Sequence, residues 1–165
     1  MFVRYFCRVL YLITFYYRIM KNSTVILKVK ISANNAWEVI SDLYKVENYM
    51  PGVSSSEVTF AEDYTNRSVV LMDGANYTER ILKVDDENRE LHYAMMEPSP
   101  FPYKNLQGVI KVLPFINEGC EISWTCNYHV TNNLFQEIDA LLTLIMTLGI
   151  KGIEKHCLKM LSYAS

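Results

Sequence analysis

Glycine and proline are scarce, six and five among 165 residues, and no segment repeats or reduces to a few residue types. Collagenous, low-complexity and disordered chains are thereby excluded. No CxxC pair occurs among Cys7, Cys120, Cys126 and Cys157, and His92, His129 and His156 are scattered. Zinc-finger and thioredoxin arrangements fail on that spacing, and no metal or cofactor is expected. Acidic residues are missing from the first 37 positions, which carry six bases; the remainder holds ten bases against 18 acids. A net charge of −8 on the main body argues against a nucleic-acid partner. Half of the residues are apolar, and 165 residues make one domain that buries roughly two-thirds of its unfolded surface.

Residues 1–19 read as a leader and 20–165 as a single domain. The leader has an uncharged stretch from Val9 to Tyr17 between Arg4, Arg8 and Arg18, too short to span a bilayer, which takes about 20 residues. No small-residue cleavage site follows it. Three readings stay open: a dispensable segment with translation starting at Met20, an export signal, or an aromatic-basic anchor making peripheral membrane contact. If Cys120 and Cys126 share a strand they lie about 20 Å apart and cannot bridge each other, so the thiols read as small buried groups of a reducing compartment. A cytoplasmic location follows, with membrane association or export as the alternative if the leader is real.

From Thr24 the periodicity becomes legible. Val25, Leu27, Val29 and Ile31 alternate with wetter positions, a strand. Ser32 caps a short helix over 33–41, and a second helical turn over 43–49 ends at Met50-Pro51-Gly52. Six further strands follow at about 53–62, 66–73, 76–85, 89–97, 105–115 and 120–131, separated by turn-forming residues such as Asp73-Gly74 and Asn117-Glu118-Gly119. In the last strand Cys120, Ile122, Trp124, Cys126, Tyr128 and Val130 alternate with polar residues, giving one buried and one wet face, with His129 on the wet one.

Phe135, Ile138, Leu142, Ile145, Gly149, Ile153, Cys157 and Met160 then recur in steps of three or four, predicting one long helix over 134–161. Its uncharged section from Ala140 to Leu148 is apolar nearly all round and, taken alone, too short to cross a membrane. That section should cover something on one side or meet a partner on the other.

Strand, two short helices, six antiparallel strands and a long helix make an α+β chain in the order of the helix-grip domain, a curved sheet of about seven strands wrapped around its last helix. Residues 33–42 (ANNAWEVISD) with 49–53 (YMPGV), 77–86 (YTERILKVDD), 91–105 (LHYAMMEPSPFPYKN) and 119–124 (GCEISW) carry a likeness. In that order and spacing the chain resembles the START-like (SRPBCC) superfamily of polyketide cyclases, dehydrases and lipid-transport proteins, which includes the birch-pollen-allergen and abscisic-acid-receptor branches. The chain departs from the pattern where Leu106 replaces a tyrosine and where Asp73-Gly74-Ala75 is too short for the receptors' gating loop. Hormone sensing is therefore not implied.

A sheet gripping one helix leaves an apolar cavity suited to small hydrophobic or lipid-like molecules. By that resemblance the ligand-binding residues are Tyr77, Glu79, Ile81, Tyr93, Met95, Leu106, Gly108, Trp124 and Tyr128 from the strands, with Ile138, Leu142, Ile145 and Gly149 from the helix. Ile110 faces the same way, and Met72, Met95, Met96 and Met146 read as core filler. Gly149 and Gly152 read as places of close approach between helix and sheet. Glu79 stands out because a carboxylate on an apolar face must be paired, hydrated, protonated or ligand-bound. A salt bridge to Lys104 or Arg67, a ligand anchor, and acid/base catalysis are its three readings, and no second titratable group accompanies it among these positions. Binding, and transport, of a hydrophobic ligand is the expected function. A cyclase/dehydrase-type enzyme using Glu79 is one alternative. A protein-interaction module similar to the coenzyme-Q-binding and toxin-like branch, needing 140–148 exposed, is another.

Overall fold

The structure, a computed structural model, describes residues 18–115 and 119–163. The readings of residues 1–17 and of the turn at Asn117-Glu118 lie outside them. Strands β1 (Arg18–Val29), β2 (Val53–Ala61), β3 (Tyr64–Leu71), β4 (Asn76–Asp85), β5 (Glu90–Met95), β6 (Lys104–Pro114) and β7 (Cys120–Thr131) form one antiparallel sheet in the order β1-β7-β6-β5-β4-β3-β2. Helix α1 (Ala33–Ser41) and a 3-10 turn at Val46–Asn48 follow β1, and helix α2 (Phe135–Tyr163) is the last described element. This is the helix-grip architecture, with the core between the concave face of the sheet and the two helices.

The alternation of β7 is reproduced residue by residue: Cys120, Ile122, Trp124, Cys126, Tyr128 and Val130 are buried and every residue between them is half-exposed. Ser32 caps α1, its hydroxyl accepting from the Asn35 amide at 3.1 Å. The helical turn expected over 43–49 shrinks to three residues, because Lys45 takes a left-handed conformation (φ 55°) that an α-helix cannot continue through.

Among the described residues the first strand already runs from Arg18, six residues before the Thr24 expected from periodicity, so residues 18 and 19 lie in the sheet. β1 pairs with β7 without interruption from Val29 opposite Cys120 to Arg18 opposite Thr131. Its first half is hidden from a hydrophobicity reading because the inward positions Lys21 and Ser23 are polar. Ser23 is buried yet satisfied: its hydroxyl donates to Asp139 Oδ1 at 2.6 Å and lies 2.9 Å from the Tyr128 hydroxyl. The Lys21 ammonium sits over the Phe135 ring at 4.5 Å.

Helix α2 buries the stripe Ile138, Leu142, Met146, Gly149, Ile150, Ile153 and Cys157. By length and composition the segment Asn132–Tyr163 as a whole could cross a bilayer, which its nine-residue central section alone could not. Leu141, Leu144 and Leu148 are exposed on its back. Gly152 sets the closeness of approach: a Cβ there would lie 1.8 Å from the Tyr49 carbonyl oxygen. The helix thereby pulls in the turn Met50–Val53, and the Met72 amide donates to the Gly52 carbonyl at 2.9 Å, tying that turn to the β3–β4 turn.

Candidate ligand cavity

Seven strands curving around one helix leave a cavity of about 400 Å³. Its sheet wall carries Tyr77, Glu79, Tyr93, Met95, Leu106, Ile110, Trp124 and Cys126, and α2 contributes Leu142, Ile145 and Met146. The mouth lies where Met50-Pro51-Gly52 meets Leu71-Met72-Asp73. Met72, expected in the core, is 75% exposed there, because the β3–β4 turn carries it past the end of the sheet.

Eight of the thirteen residues inferred from the resemblance line this cavity: Tyr77, Glu79, Tyr93, Met95, Leu106, Trp124, Leu142 and Ile145. The other five, Ile81, Gly108, Tyr128, Ile138 and Gly149, are buried but off its wall. Gly108 is covered by the Tyr93 ring, whose Cζ would be 2.1 Å from a Cβ at that position. Gly149 is covered by Trp124 and the Met50 thioether, 2.6 and 2.7 Å from such a Cβ. Tyr128 turns its hydroxyl to Ser23, toward the start of α2. Ile81 and Ile138 pack in the core.

Sequence reasoning missed Tyr49, Phe101 and Tyr103, and had Arg67 only as a partner candidate. Phe101 and Tyr103 stack at 5.2 Å and 5°, and Tyr77 meets Phe101 edge-on at 5.5 Å, forming an aromatic wall. Phe101 and Tyr103 come from the proline-bearing 96–103 connection, where no periodicity advertises an inward face. Tyr49 sits in a turn, and its packing under α2 is decided by Gly152.

Arg67 is the salt-bridge partner of Glu79; Lys104 instead pairs with Glu97 at 2.7 Å. The two stand directly opposite in the β3–β4 register, so their side chains emerge on the same face. Arg67 Nε and Nη2 donate to the same oxygen, Glu79 Oε2, at 2.8 and 2.7 Å. Arg67 is 4% and Glu79 6% exposed. Glu79 thus does have a titratable companion in the cavity, correcting the expectation that it stood alone. Burial is the largest single influence and works against the Arg67 charge, but the Glu79 carboxylate together with the Tyr49 and Tyr93 hydroxyls outweighs it, so the guanidinium holds its proton more tightly than usual. Arg67 Nη1 is buried and makes no hydrogen bond of its own, and the Tyr49 hydroxyl stands beside the guanidinium.

The remaining polar groups are weak acids. Burial, with Glu79 adding to it, holds the hydroxyls of Tyr77, Tyr93 and Tyr103 above the ordinary tyrosine range. Burial does the same for Tyr49, with Arg67 pulling the other way. The Cys126 thiol is pushed up to about 12 by burial. Tyr93 Oη accepts from Trp124 Nε1 at 2.9 Å and lies 3.8 Å from Cys126 Sγ. The histidines lie outside the cavity: His92 contacts Glu90 at 3.1 Å, and His129 is half-buried on the outer face with Nδ1 unpartnered. Among the described residues no group of three His, Cys, Asp or Glu is placed to hold a metal ion. The arrangement can enclose an apolar molecule and meet one polar end with an ion pair.

The family model described as polyketide cyclase/dehydrase and lipid transport matches residues 20–157. No curated protein matches the chain by sequence. Among solved structures, the Zhui aromatase/cyclase from Streptomyces sp. R1128 is similar with a TM-score of 0.75, 13% identity, and coverage of 87% of this chain and 96% of that one. Norcoclaurine synthase from Thalictrum flavum, in complex with dopamine and hydroxybenzaldehyde, gives a TM-score of 0.69 and 22% identity over 86% and 88%. The protein XoxI from Bacillus cereus gives 0.74 and 21% over 84% and 96%. At these identities the likeness concerns the fold.

Proposed function

The chain belongs to the polyketide cyclase/dehydrase and lipid transport family, and from that premise we propose that it binds a small hydrophobic molecule in the cavity between sheet and α2. The observation that carries this is the cavity itself: about 400 Å³, walled by aromatic, methionine and aliphatic side chains around one buried ion pair. That volume and lining are those of a site for a drug-sized or lipid-like ligand. Side chains filling a core to ordinary density leave no such space.

Trp124 lies on the cavity wall, whereas Trp37 is bonded to Asp86 outside it. A Trp37→Phe variant therefore leaves a single tryptophan, which reports on the cavity. Fatty acids, sterols and aromatic polyketides are the panel to titrate. A binder at a hundred times its dissociation constant adds about 2.7 kcal/mol to stability. A panel that neither changes Trp124 emission nor raises the melting temperature rejects the reading.

Cyclase-type catalysis is the second reading, favoured by Glu79 standing on the cavity wall with only one of its oxygens engaged by Arg67. A carboxylate placed so can accept a proton from an acidic C–H of an enclosed substrate. It predicts that Glu79→Gln abolishes turnover while binding survives.

A further inference from the structure

Two atoms of the buried ion pair are left over by the protein's own bonding. Arg67 offers five N–H donors, and its Nε and Nη2 are directed to Glu79 Oε2. Nη1 remains, buried and without a partner. On the other side, both of those bonds fall on Oε2, and Glu79 Oε1 accepts no hydrogen bond from any described residue. Both side chains line the cavity. The Tyr49 hydroxyl stands beside the guanidinium but is not in hydrogen-bonding geometry with Nη1; a buried guanidinium donor that makes no bond is costly, and native structures retain such groups where something else completes them.

Resting on the cavity reading above, we infer that the ligand is electrically neutral and ends in an adjacent acceptor and donor, the acceptor taking the Arg67 Nη1 hydrogens and the donor serving Glu79 Oε1. A carboxamide, an enol beside a carbonyl, or a catechol has this form. The pair is already balanced in charge, which sets the preference. A carboxylate ligand would put a second negative charge beside the buried Glu79 carboxylate, and it has no hydrogen for Oε1. An ammonium would add a second positive charge and leave Nη1 unmet. The remainder of the ligand lies against Tyr77, Phe101 and Tyr103, edge and face of an aromatic wall that suits a planar ring.

Three naphthalenes of one shape test the head group on the full chain. 2-Naphthamide carries acceptor and donor, methyl 2-naphthoate the acceptor alone, and 2-naphthoate is an anion at pH 7.5. Calorimetric titration should rank the amide at least about tenfold above both of the others. In Glu79→Gln the Arg67 charge is no longer balanced, and the ranking should turn toward 2-naphthoate. Should that variant not fold, the ranking on the unaltered protein decides alone. Equal affinities, or 2-naphthoate binding tightest to the unaltered protein, overturn the inference and leave the cavity reading standing. So does binding of members of the broader hydrophobic panel with none of the three naphthalenes. Failure of every compound, panel and naphthalenes alike, overturns both.

Discussion

Gly108 and Tyr93 stand opposite each other in the β5–β6 register, and the phenol ring lies flat over the glycine where a side chain would be. A Cβ on Gly108 would meet Tyr93 Cζ, Cε1 and Oη at 2.1–2.4 Å. The missing side chain thus lets Tyr93 hug the sheet, receive the Trp124 indole N–H, and leave the space in front of it open.

Gly108→Ala should therefore push the Tyr93 ring into the cavity. Overpacking of this kind costs about 1–3 kcal/mol. The Trp124–Tyr93 bond should be lost with it, seen as an altered Trp124 emission maximum together with a lowered melting temperature. Unchanged values for both would mean that Tyr93 has another place to go.

Breaking the Arg67–Glu79 pair from either side should be expensive, and removing both partners should not. Glu79→Leu or Arg67→Met alone leaves one buried charged group without its partner, at about 3–5 kcal/mol. The double variant Arg67→Met with Glu79→Leu should recover most of that loss. Chemical denaturation of the four proteins forms a complete cycle. Single variants costing under about 1 kcal/mol would contradict the burial of the pair.

Alkali should destabilise the protein earlier than its surface charges suggest. Tyr49, Tyr77, Tyr93, Tyr103 and Cys126 all have acid dissociation shifted upward, in each case chiefly by burial. In the unfolded chain these groups ionise near the ordinary values of about 8.5 for thiols and 10 for tyrosines. Their contribution is thus complete below about pH 8.5 and shrinks as pH rises, because the unfolded chain loses protons that the folded one keeps. Melting temperature should be flat with respect to these groups from pH 7 to 8.5 and should fall above pH 9. Tyrosinate absorbance should rise in step with unfolding; full tyrosine titration in a still-folded chain would refute the account.

Truncation should be graded along β1. A chain beginning at Met20 loses the Arg18–Thr131 and Ile19–Val130 pairs but keeps Ser23 and its two partners, and should still melt cooperatively after losing about 1–2 kcal/mol. A chain beginning at Thr24 removes Ser23 and leaves the buried Tyr128 hydroxyl unmet, and should lose more. Equal melting temperatures for the two would show that the first half of β1 adds nothing.

Much of the architecture was legible because it rests on period. Cys120 to Val130 alternate so regularly that one face has to be buried, and the three- and four-residue steps from Ile138 to Cys157 place one stripe of α2 against it. Where polar residues face inward the same reading fails. Lys21 and Ser23 concealed half of β1, since what makes them tolerable is a ring and a carboxylate that belong to α2.

The cavity was legible only in part, for a related reason. Alternation put Trp124 on the buried face of the last strand and parity set Tyr77 with Glu79 on one face of theirs, a local property of each strand, while the family resemblance named the inward side for Tyr77, Glu79 and Tyr93. Whether an inward residue touches the cavity or is covered depends on distant neighbours: Gly108 lies under Tyr93, Gly149 under Trp124 and Met50, and Tyr128 is drawn to Ser23. Arg67 and Glu79 meet because a hairpin register sets them opposite each other, and that register is a relation between two strands. The sequence by itself determined which faces are buried, since burial follows from the spacing of apolar groups along one element. Only the tertiary structure decided which buried groups border empty space and which bonds remain unmade there, since both are set by atoms far apart in the chain.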